Sequence, residues 1–264
     1  MADAAVQSSN PAARQRAFAA AAVAAGLDPA DRWVGGYVDY EWDHLRALLE
    51  VYGIRPEGQA AFEFGCNVGA SGVVLARLGA EVTGVDVDPA HVRVANANIA
   101  LHGVARRARA VPVADTRAMP FADGAFDLAV ANSVLEYVAP GQLAAVIGEI
   151  HRVLRPGATL LVCGTASRVA PREAHSRKWL VNYLPRGLDP LFGRSLQRGL
   201  SPLHLARAIR GRFEVCQGDR WLAARRRLHG RASASMRLAD RLARALGIAP
   251  GWLSPHIELV LRRL

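Results

Sequence analysis

The sequence predicts an α/β protein built on a doubly wound, mostly parallel sheet of seven strands with helices on both faces. From Gln59 onward, short apolar segments alternate with helix-favouring segments, which is typical of parallel strands joined by helical crossovers. Residues 126–131 are apolar except for Asp127, and an apolar run of this kind is expected for a strand buried on both faces. A glycine-rich turn over residues 65–72 follows the first apolar segment, at the end of a strand where such sheets bind ligands.

Breaker residues and apolar runs place the individual elements. Asp88-Pro89 combines an N-capping carboxylate with a proline at the first helical position, and Ser201-Pro202 starts a later helix in the same way. Arg155-Pro156-Gly157 ends a helix before the fifth strand. The seven predicted strands are residues 60–64, 81–87, 109–113, 126–131, 159–164, 213–217 and 257–261. The predicted helices are residues 12–25, 40–52, 73–78, 89–102, 142–154, 202–210 and 232–246, and the first ten residues are expected to fray.

Charge is distributed unevenly along the chain. The formal net charge is +10, but residues 1–164 contain 13 basic and 17 acidic residues, whereas residues 165–264 contain 20 basic and 6 acidic residues. The first part is therefore at −4 and the second at +14. An excess of this size favours an anionic substrate, an anionic lipid surface or a nucleic acid as the partner of the second part.

Composition excludes several classes of protein. A hydrophobic content of 51% is too high for a disordered chain, and 24 glycines are far too few for a collagen. The longest apolar run, residues 17–25, is too short to span a membrane, and no secretory signal is visible. Three widely spaced cysteines indicate reduced thiols and no zinc site. The sequence thus predicts a cytoplasmic protein. A secondary prediction is peripheral contact with the inner face of a membrane.

The segment that begins with the first strand carries a ligand-binding pattern, Glu63-x-Gly65-x-Asn67-x-Gly69, and Asp86 lies at the end of the second strand. A strand, a glycine turn, a helix and a later acidic residue are the pattern of a dinucleotide site. The second glycine of that pattern lets the backbone approach a pyrophosphate, and Asn67 replaces it here. The replacement argues against NAD or FAD as the ligand.

Five motifs in a fixed order are more specific than the turn alone. They are Glu63-x-Gly65-x-Asn67-x-Gly69; Val85-Asp86-Val87-Asp88-Pro89; Val113-Ala114-Asp115-Thr116 with Met119-Pro120-Phe121; the run from Phe126-Asp127-Leu128 to Leu135-Glu136-Tyr137-Val138; and Glu149-Ile150-His151-Arg152 with Arg155-Pro156-Gly157. At these residues the chain resembles the class I S-adenosylmethionine-dependent methyltransferases, a Rossmann-like family, and especially its small-molecule branch, type 11. The resemblance covers about residues 60–164, and Asn67 stands where the family usually has glycine.

The resemblance implies a role for each motif residue. The turn at Gly65, Asn67 and Gly69 would hold the methionine end of S-adenosyl-L-methionine, with Glu63 orienting the turn and the amino group. Asp86, an acceptor-only carboxylate, would accept both ribose hydroxyls. The other implied contacts are Val87 beside the adenine, Asp115 and Thr116 at the adenine amino group, and Asn132 and Ser133 near the methyl group. The implied organisation is one methyltransferase domain, with a helical cap over residues 1–55, a cofactor-binding core over residues 56–165 and a basic acceptor-side segment over residues 166–264.

Two residues are candidate catalytic groups. Methyl transfer from a sulfonium needs in-line placement of the acceptor in a dry pocket, and it needs a base only where the acceptor arrives protonated. His175 is the preferred base, with a surface or core histidine as the open alternative, and Tyr137 follows the fourth strand where many relatives have a histidine. His151 is interpreted as structural. No metal is expected.

Three functions remain open from the sequence. The preferred one is a methyltransferase acting at oxygen on a small-molecule acceptor, such as a saccharide, a lipid-linked compound or a secondary metabolite. The alternatives are a tRNA or rRNA methyltransferase that uses the basic half, and a non-catalytic cofactor-binding regulatory module. A nucleic-acid substrate is disfavoured, because Asn132-Ser133-Val134-Leu135 replaces the Asn/Asp-Pro-Pro-aromatic motif and no Pro-Cys pair exists. Oligomeric state is not predicted.

The last predicted helix has an amphipathic pattern. It carries one row of arginines beside a row of leucines, namely Arg237, Arg241 and Arg244 beside Leu238, Leu242 and Leu246. The preferred interpretation is a solvated helix that packs its leucines on the domain, with Asp240 and Arg244 as an ordinary i,i+4 pair. The alternative is a peripheral contact of the basic C-terminal half with an anionic membrane.

Overall fold

The computed structural model describes residues 10–193 and 196–264. Fraying was predicted for the first ten residues, and residues 1–9 lie outside the described part. The chain divides into two compact units, Met1–Val130 and Ala131–Leu264. The predicted boundaries at residues 55 and 165 stay predictions.

A seven-stranded sheet confirms the predicted α/β fold. Its strand order is β3-β2-β1-β4-β5-β7-β6. The strands are β1 (Ala60–Phe64), β2 (Glu81–Asp86), β3 (Ala108–Pro112), β4 (Phe126–Asn132), β5 (Leu154–Ala166), β6 (Phe213–Val215) and β7 (His256–Arg263). β1 pairs in parallel with β2 and β4, and β2 pairs in parallel with β3, whereas β7 runs antiparallel to β5 and β6. The sheet is therefore mixed and mostly parallel.

Eight α-helices are described. They are α1 (Pro11–Ala24), α2 (Tyr37–Tyr52), α3 (Ala70–Arg77), α4 (Pro89–Leu101), α5 (Leu143–Val153), α6 (Pro202–Ile209), α7 (Trp221–His229) and α8 (Ala234–Ala245). The Asp88 side chain caps α4 as predicted, accepting a hydrogen bond from Ala90 N at 2.7 Å. Ser201 precedes α6 but makes no such bond with its side chain, so the proline alone marks this start. The sequence prediction missed α7.

The first unit has its core around the amino-terminal strands. α1 packs against α4, and α2 packs against α3. Phe62 of β1 is completely buried, and its ring lies 5.1 Å from that of Phe126 and 5.9 Å from that of Phe121. These aromatic contacts belong to the two sequence motifs that contain Phe121 and Phe126. The motifs therefore contribute to the core as well as to the loops at the carboxyl ends of the strands.

The second unit is organised around the ladder of β5 and β7. β5 begins at residue 154, five positions before the predicted start at residue 159, and its register with β7 shifts between Val162 and Thr165. Gly164 lies in this irregularity with a φ of +66°, a conformation that glycine adopts without steric cost. α7 is anchored by the buried Trp221 and by an ion pair between the buried Arg225 and Glu258 of β7.

The orientation of α8 corrects the preferred sequence interpretation. Its leucines do not pack on the domain, because Leu238, Leu242 and Leu246 are 58%, 50% and 66% exposed. The buried residues of the helix are Asp240 and Ala243. Among the helices in the described ranges, none is long and apolar enough to cross a membrane.

Candidate functional site

The turn after β1 depends on left-handed backbone at three alternate positions. Gly65, Asn67 and Gly69 have φ values of +71°, +46° and +77°. Gly69 also lies close to α4, since a Cβ at this position would be 3.0 Å from the Cβ of Ala95. Asparagine is among the few residues other than glycine that adopt this conformation readily. Asn67 therefore preserves the backbone conformation at the position where the family usually has glycine.

Substitutions at Asn67 test this backbone requirement. The Asn67 side chain is exposed, so its replacement changes few contacts. We expect Asn67→Gly to leave the free energy of unfolding almost unchanged, and Asn67→Val to lower it by about 1–2 kcal/mol, because a β-branched residue is strained at positive φ. Urea denaturation of both variants measures the difference. Equal stability of the glycine and valine variants would contradict the assignment of strain to this position.

Glu63 lies beneath the turn as a buried carboxyl group. Only 4% of the residue is exposed, and burial raises the pKa of Glu63 to about 8, with hydrogen bonds from the Gly72 backbone and the Ser71 hydroxyl opposing that shift and the Glu41 carboxylate adding to it. A Cβ on Gly72 would lie 2.6 Å from Glu63 Oε2, so glycine at this position leaves room for the carboxyl group. At neutral pH the free protein thus holds an uncharged carboxyl group next to the turn.

The raised pKa of Glu63 predicts a pH-dependent stability. The folded state keeps the proton more tightly than the unfolded chain, where the pKa is about 4.5, so the free energy of unfolding should fall as the pH rises from about 4.5 to about 8. We expect Glu63→Gln to reduce this fall by roughly 5 kcal/mol. Urea denaturation at several pH values measures it. An identical pH dependence in wild type and variant would contradict the buried, protonated state of Glu63.

Asp86, at the end of β2, connects two loops through its carboxylate. Its Oδ2 accepts a hydrogen bond from Asn67 N at 2.9 Å, and its Oδ1 accepts one from Asp88 N at 3.0 Å. The side chain is 13% exposed, and His91 Nδ1 lies 4.0 Å from Oδ1. Each carboxylate oxygen has a second lone pair, so Asp86 is held in one orientation while it keeps acceptor capacity towards solvent. The neighbouring Val87 side chain is 60% exposed.

The loop after β3 contains the two other candidate cofactor residues of the first unit. Asp115 forms a two-point ion pair with Arg117, whose Nε and Nη2 each lie 2.8 Å from a carboxylate oxygen. These hydrogen bonds lower the pKa of Asp115. Thr116 is half-buried beside them. The sequence prediction did not include this pairing, which gives Asp115 a partner within its own loop.

In the second unit, Asn132 and Ser133 lie at the end of β4 against the irregular part of β5. Ser133 adopts a φ of +51°, its N–H donates to Cys163 O at 2.9 Å, and its hydroxyl lies 3.3 Å from Asn132 Oδ1. A Cβ on Gly164 would approach Ser133 Oγ to 2.3 Å and Asn132 Oδ1 to 2.6 Å. The β5 irregularity at Gly164 thus makes room for these two polar side chains.

The structure brings the two candidate catalytic residues together. The rings of Tyr137 and His175 meet edge to face with 5.7 Å between their centroids. Glu136 completes the group: it is buried, and its Oε1 lies 4.0 Å from His175 Nε2 and accepts a hydrogen bond from Ala166 N at 3.2 Å. Burial raises the pKa of Glu136 to about 7. A partly exposed imidazole beside a buried carboxyl group is an arrangement suited to proton transfer.

A second buried carboxylate holds the loop that carries His175. Glu173 is 1% exposed, and its two carboxylate oxygens accept hydrogen bonds from the backbone N–H groups of His175 and Ser176 at 2.8 and 2.5 Å. Burial lowers the pKa of His256 on β7, and the charges of Arg225 and His175 lower it further. The position of His175 is therefore determined by backbone contacts and not only by its own side chain.

The residues missed by sequence reasoning are mainly acidic. Glu136 was part of a recognised motif but received no role in the sequence prediction. His151 was expected to be structural, and its contacts agree. Cys66 is buried with its pKa raised by burial and by nearby carboxylates, while His151 accepts a hydrogen bond from Arg263 Nε at 3.3 Å.

Comparison with known proteins identifies the part of the chain that contains these motifs. Residues 62–162 match the family model of a methyltransferase domain. Sterol 4-C-methyltransferase strm-1 of Caenorhabditis elegans is 36% identical over 45% of this chain and 34% of its own length. Ubiquinone biosynthesis O-methyltransferase of Methylobacterium sp. is 32% identical over 58% of each chain. The chain thus spans between about a third and three fifths of the length of these curated relatives.

Solved structures show the same fold over most of the chain. An S-adenosylmethionine-dependent methyltransferase from Mesorhizobium loti has a TM-score of 0.55 at 21% identity, covering 84% of this chain and 97% of its own. The cyclase SpnF has a TM-score of 0.53 at 23% identity, covering 83% and 80%. At such identities the likeness shows the fold alone, and this fold is shared by a methyltransferase and a cyclase. Residues 62–162 thus match a methyltransferase domain in sequence, and the chain has the fold of these solved structures.

Proposed function

We propose that the protein transfers a methyl group from S-adenosyl-L-methionine to an oxygen atom of a small-molecule acceptor. The observation that carries this proposal is the Asp86 carboxylate. It is fixed by the backbone N–H groups of Asn67 and Asp88, at the carboxyl end of β2, and retains acceptor capacity for a ligand with two adjacent hydroxyls. A ribose presents such a pair of hydroxyls.

The residues of the first unit fit the chemistry of this cofactor. The left-handed turn at Gly65, Asn67 and Gly69 lets the backbone approach a ligand closely, and Glu63 can supply a negative charge once a cation favours its ionisation. The exposed Val87 offers an apolar contact for adenine. Thr116 and Asp115 would complete the adenine site, where Asp115 shares its carboxylate between the ligand and Arg117.

When bound, S-adenosyl-L-methionine supplies a methyl group on a positively charged sulfur. Displacement at that carbon disperses charge, so the residues of this chain contribute mainly by binding, by orienting the acceptor and by excluding water. A hydroxyl acceptor must also lose its proton as the new bond to carbon forms. We assign the removal of this proton to His175. Glu136 is the positioning residue that stabilises the resulting imidazolium.

One observation favours transfer to oxygen, and another favours an anionic acceptor. The paired His175 and Glu136 provide the base that a hydroxyl requires and that a thiolate or an unprotonated amine does not. The basic excess of residues 165–264 would attract an anionic or lipid-linked acceptor. The two relatives compared above differ in this respect: by name, one is a C-methyltransferase and the other an O-methyltransferase.

Product analysis tests the atom that is methylated. The protein would be incubated with a deuterium-labelled methyl donor and a small-molecule extract, and the labelled products fragmented in a mass spectrometer. We expect the label in a methoxy group. A label found only on carbon or nitrogen would contradict the assignment of oxygen and of His175 as the base, while leaving the cofactor site unaffected.

A further inference from the structure

The outer face of α8 and the turn that follows it form an exposed apolar row. Leu238, Leu242 and Leu246 recur every fourth residue and so lie along one side of the helix, and Ile248 extends the row with 39% exposure. We call these four residues the leucine row. Side chains of this size are usually withdrawn from water, and four in line form a contiguous apolar surface.

Other contacts fix the orientation of α8 without the leucine row. Ala243 is completely buried, and the buried Asp240 forms an ion pair with Arg244 at 2.9 Å. Arg244 also reaches Asp219 at 2.6 Å. The helix is therefore anchored through its opposite face, and the exposure of the leucines follows from that anchoring.

The border of the leucine row is positively charged. Arg237 and Arg241 lie on one side of it, both exposed, and neither forms an ion pair with a residue in the described ranges. Residues 218–248 contain eight arginines and only two acidic residues, Asp219 and Asp240. Arg244 forms ion pairs with both of these aspartates. The outer face of this segment therefore presents arginines and apolar side chains together.

We propose that the leucine row and its bordering arginines dock the protein on an anionic lipid bilayer. In this arrangement the leucines enter the boundary between headgroups and acyl chains, while the guanidinium groups of Arg237 and Arg241 contact lipid phosphates. Residues 218–248 supply an overall positive charge that draws the segment to a negative surface. This inference goes beyond the proposed methyl transfer and does not depend on it.

Charge favours a membrane over the other partners of an apolar face. A second copy of α8 would bring arginines against arginines, because the exposed side of the helix offers no carboxylate to pair with them. An RNA would satisfy the arginines through its phosphates but would leave the leucines without an apolar partner. An anionic bilayer satisfies both groups at once.

Vesicle sedimentation tests the proposal with the full chain. The probes are vesicles of phosphatidylcholine with about 30% phosphatidylglycerol, and vesicles of phosphatidylcholine alone. Wild type should bind the anionic vesicles and lose most of its affinity at high salt. The variant Arg237→Ala/Arg241→Ala should bind about 20-fold more weakly, and Leu238→Glu/Leu242→Glu at least about tenfold more weakly.

Matched controls separate docking from unfolding and from general charge. Leu203 on α6 is 69% exposed, so Leu203→Glu introduces the same change at another exposed leucine, and Arg93→Ala removes an exposed arginine from α4. Both should bind like wild type, and all variants should keep the wild-type melting temperature within a few degrees. Absence of wild-type binding to anionic vesicles, or equal loss in the control variants, would overturn the proposal. Dimers that only the leucine substitutions dissociate, without any vesicle binding, would overturn it in favour of self-association.

Discussion

Replacing Asp86 with alanine is expected to weaken S-adenosyl-L-methionine binding by at least about a hundredfold. The substitution removes the charged acceptor proposed for both ribose hydroxyls, and each hydrogen bond to a charged group contributes about 1.5–3 kcal/mol. It also releases the backbone N–H groups of Asn67 and Asp88 that this carboxylate now holds. Two lost hydrogen bonds together correspond to a hundredfold or more in the dissociation constant. Isothermal titration calorimetry measures the loss directly.

Asp88→Ala is the matched control for this experiment, since Asp88 lies in the same loop and carries the same charge. Its side chain caps α4, so we expect the control to lower the free energy of unfolding by about 1 kcal/mol and to change cofactor affinity by no more than about twofold. Asp86→Asn keeps the size of the side chain and one acceptor oxygen, and should fall between wild type and Asp86→Ala. Unchanged binding in Asp86→Ala would remove Asp86 as the ribose ligand.

Replacing His175 with alanine should lower kcat by roughly 10²–10⁴-fold, the usual contribution of a positioned base, while cofactor affinity stays at the wild-type value. The reason is that a hydroxyl acceptor would keep its proton as the new bond forms. Glu136→Gln should lower kcat less, because it removes only the carboxylate that stabilises the protonated imidazole. Single-turnover methyl transfer with saturating cofactor measures both effects.

The pH profile separates the positioning role of Glu136 from a merely structural one. Because burial raises the pKa of Glu136 to about 7, the group is neutral below this value and ionised above it. The rate should therefore rise as the pH increases through about 7, and this rise should weaken in Glu136→Gln. Tyr137→Phe keeps the ring contact with His175 and removes only the hydroxyl, so wild-type turnover in this variant would exclude Tyr137 as a catalytic group. Wild-type turnover in His175→Ala would exclude His175 as the base.

The first strands and their crossovers could be predicted closely from the sequence. β1 has the predicted bounds, Ala60–Phe64, because its apolar residues are followed directly by a glycine turn. α4 begins where Asp88-Pro89 predicts it, since a capping carboxylate and a proline act locally. Both signals depend only on residues that are neighbours in the sequence, and such signals need no knowledge of the tertiary structure.

Features that depend on distant parts of the chain could not be predicted. The proximity of Glu136 and His175 arises from the packing of a long loop against β5, which no local pattern encodes. The orientation of α8 is set by the pairing of Arg244 with both Asp240 and Asp219, and only the first of these is a helical neighbour. The pattern of leucines alone therefore suggested the opposite orientation, with the apolar row facing inward.

Transfer of a labelled methyl group tests the central claim most directly. The protein would be incubated with S-adenosyl-L-methionine carrying a tritiated methyl group and with cell extract separated into small molecules, lipids and RNA. We predict label in the small-molecule or lipid fraction, together with release of S-adenosylhomocysteine, and loss of both in Asp86→Ala. Label confined to RNA would contradict the proposed acceptor class, and no transfer to any fraction by protein that binds the cofactor would contradict the methyltransferase activity itself.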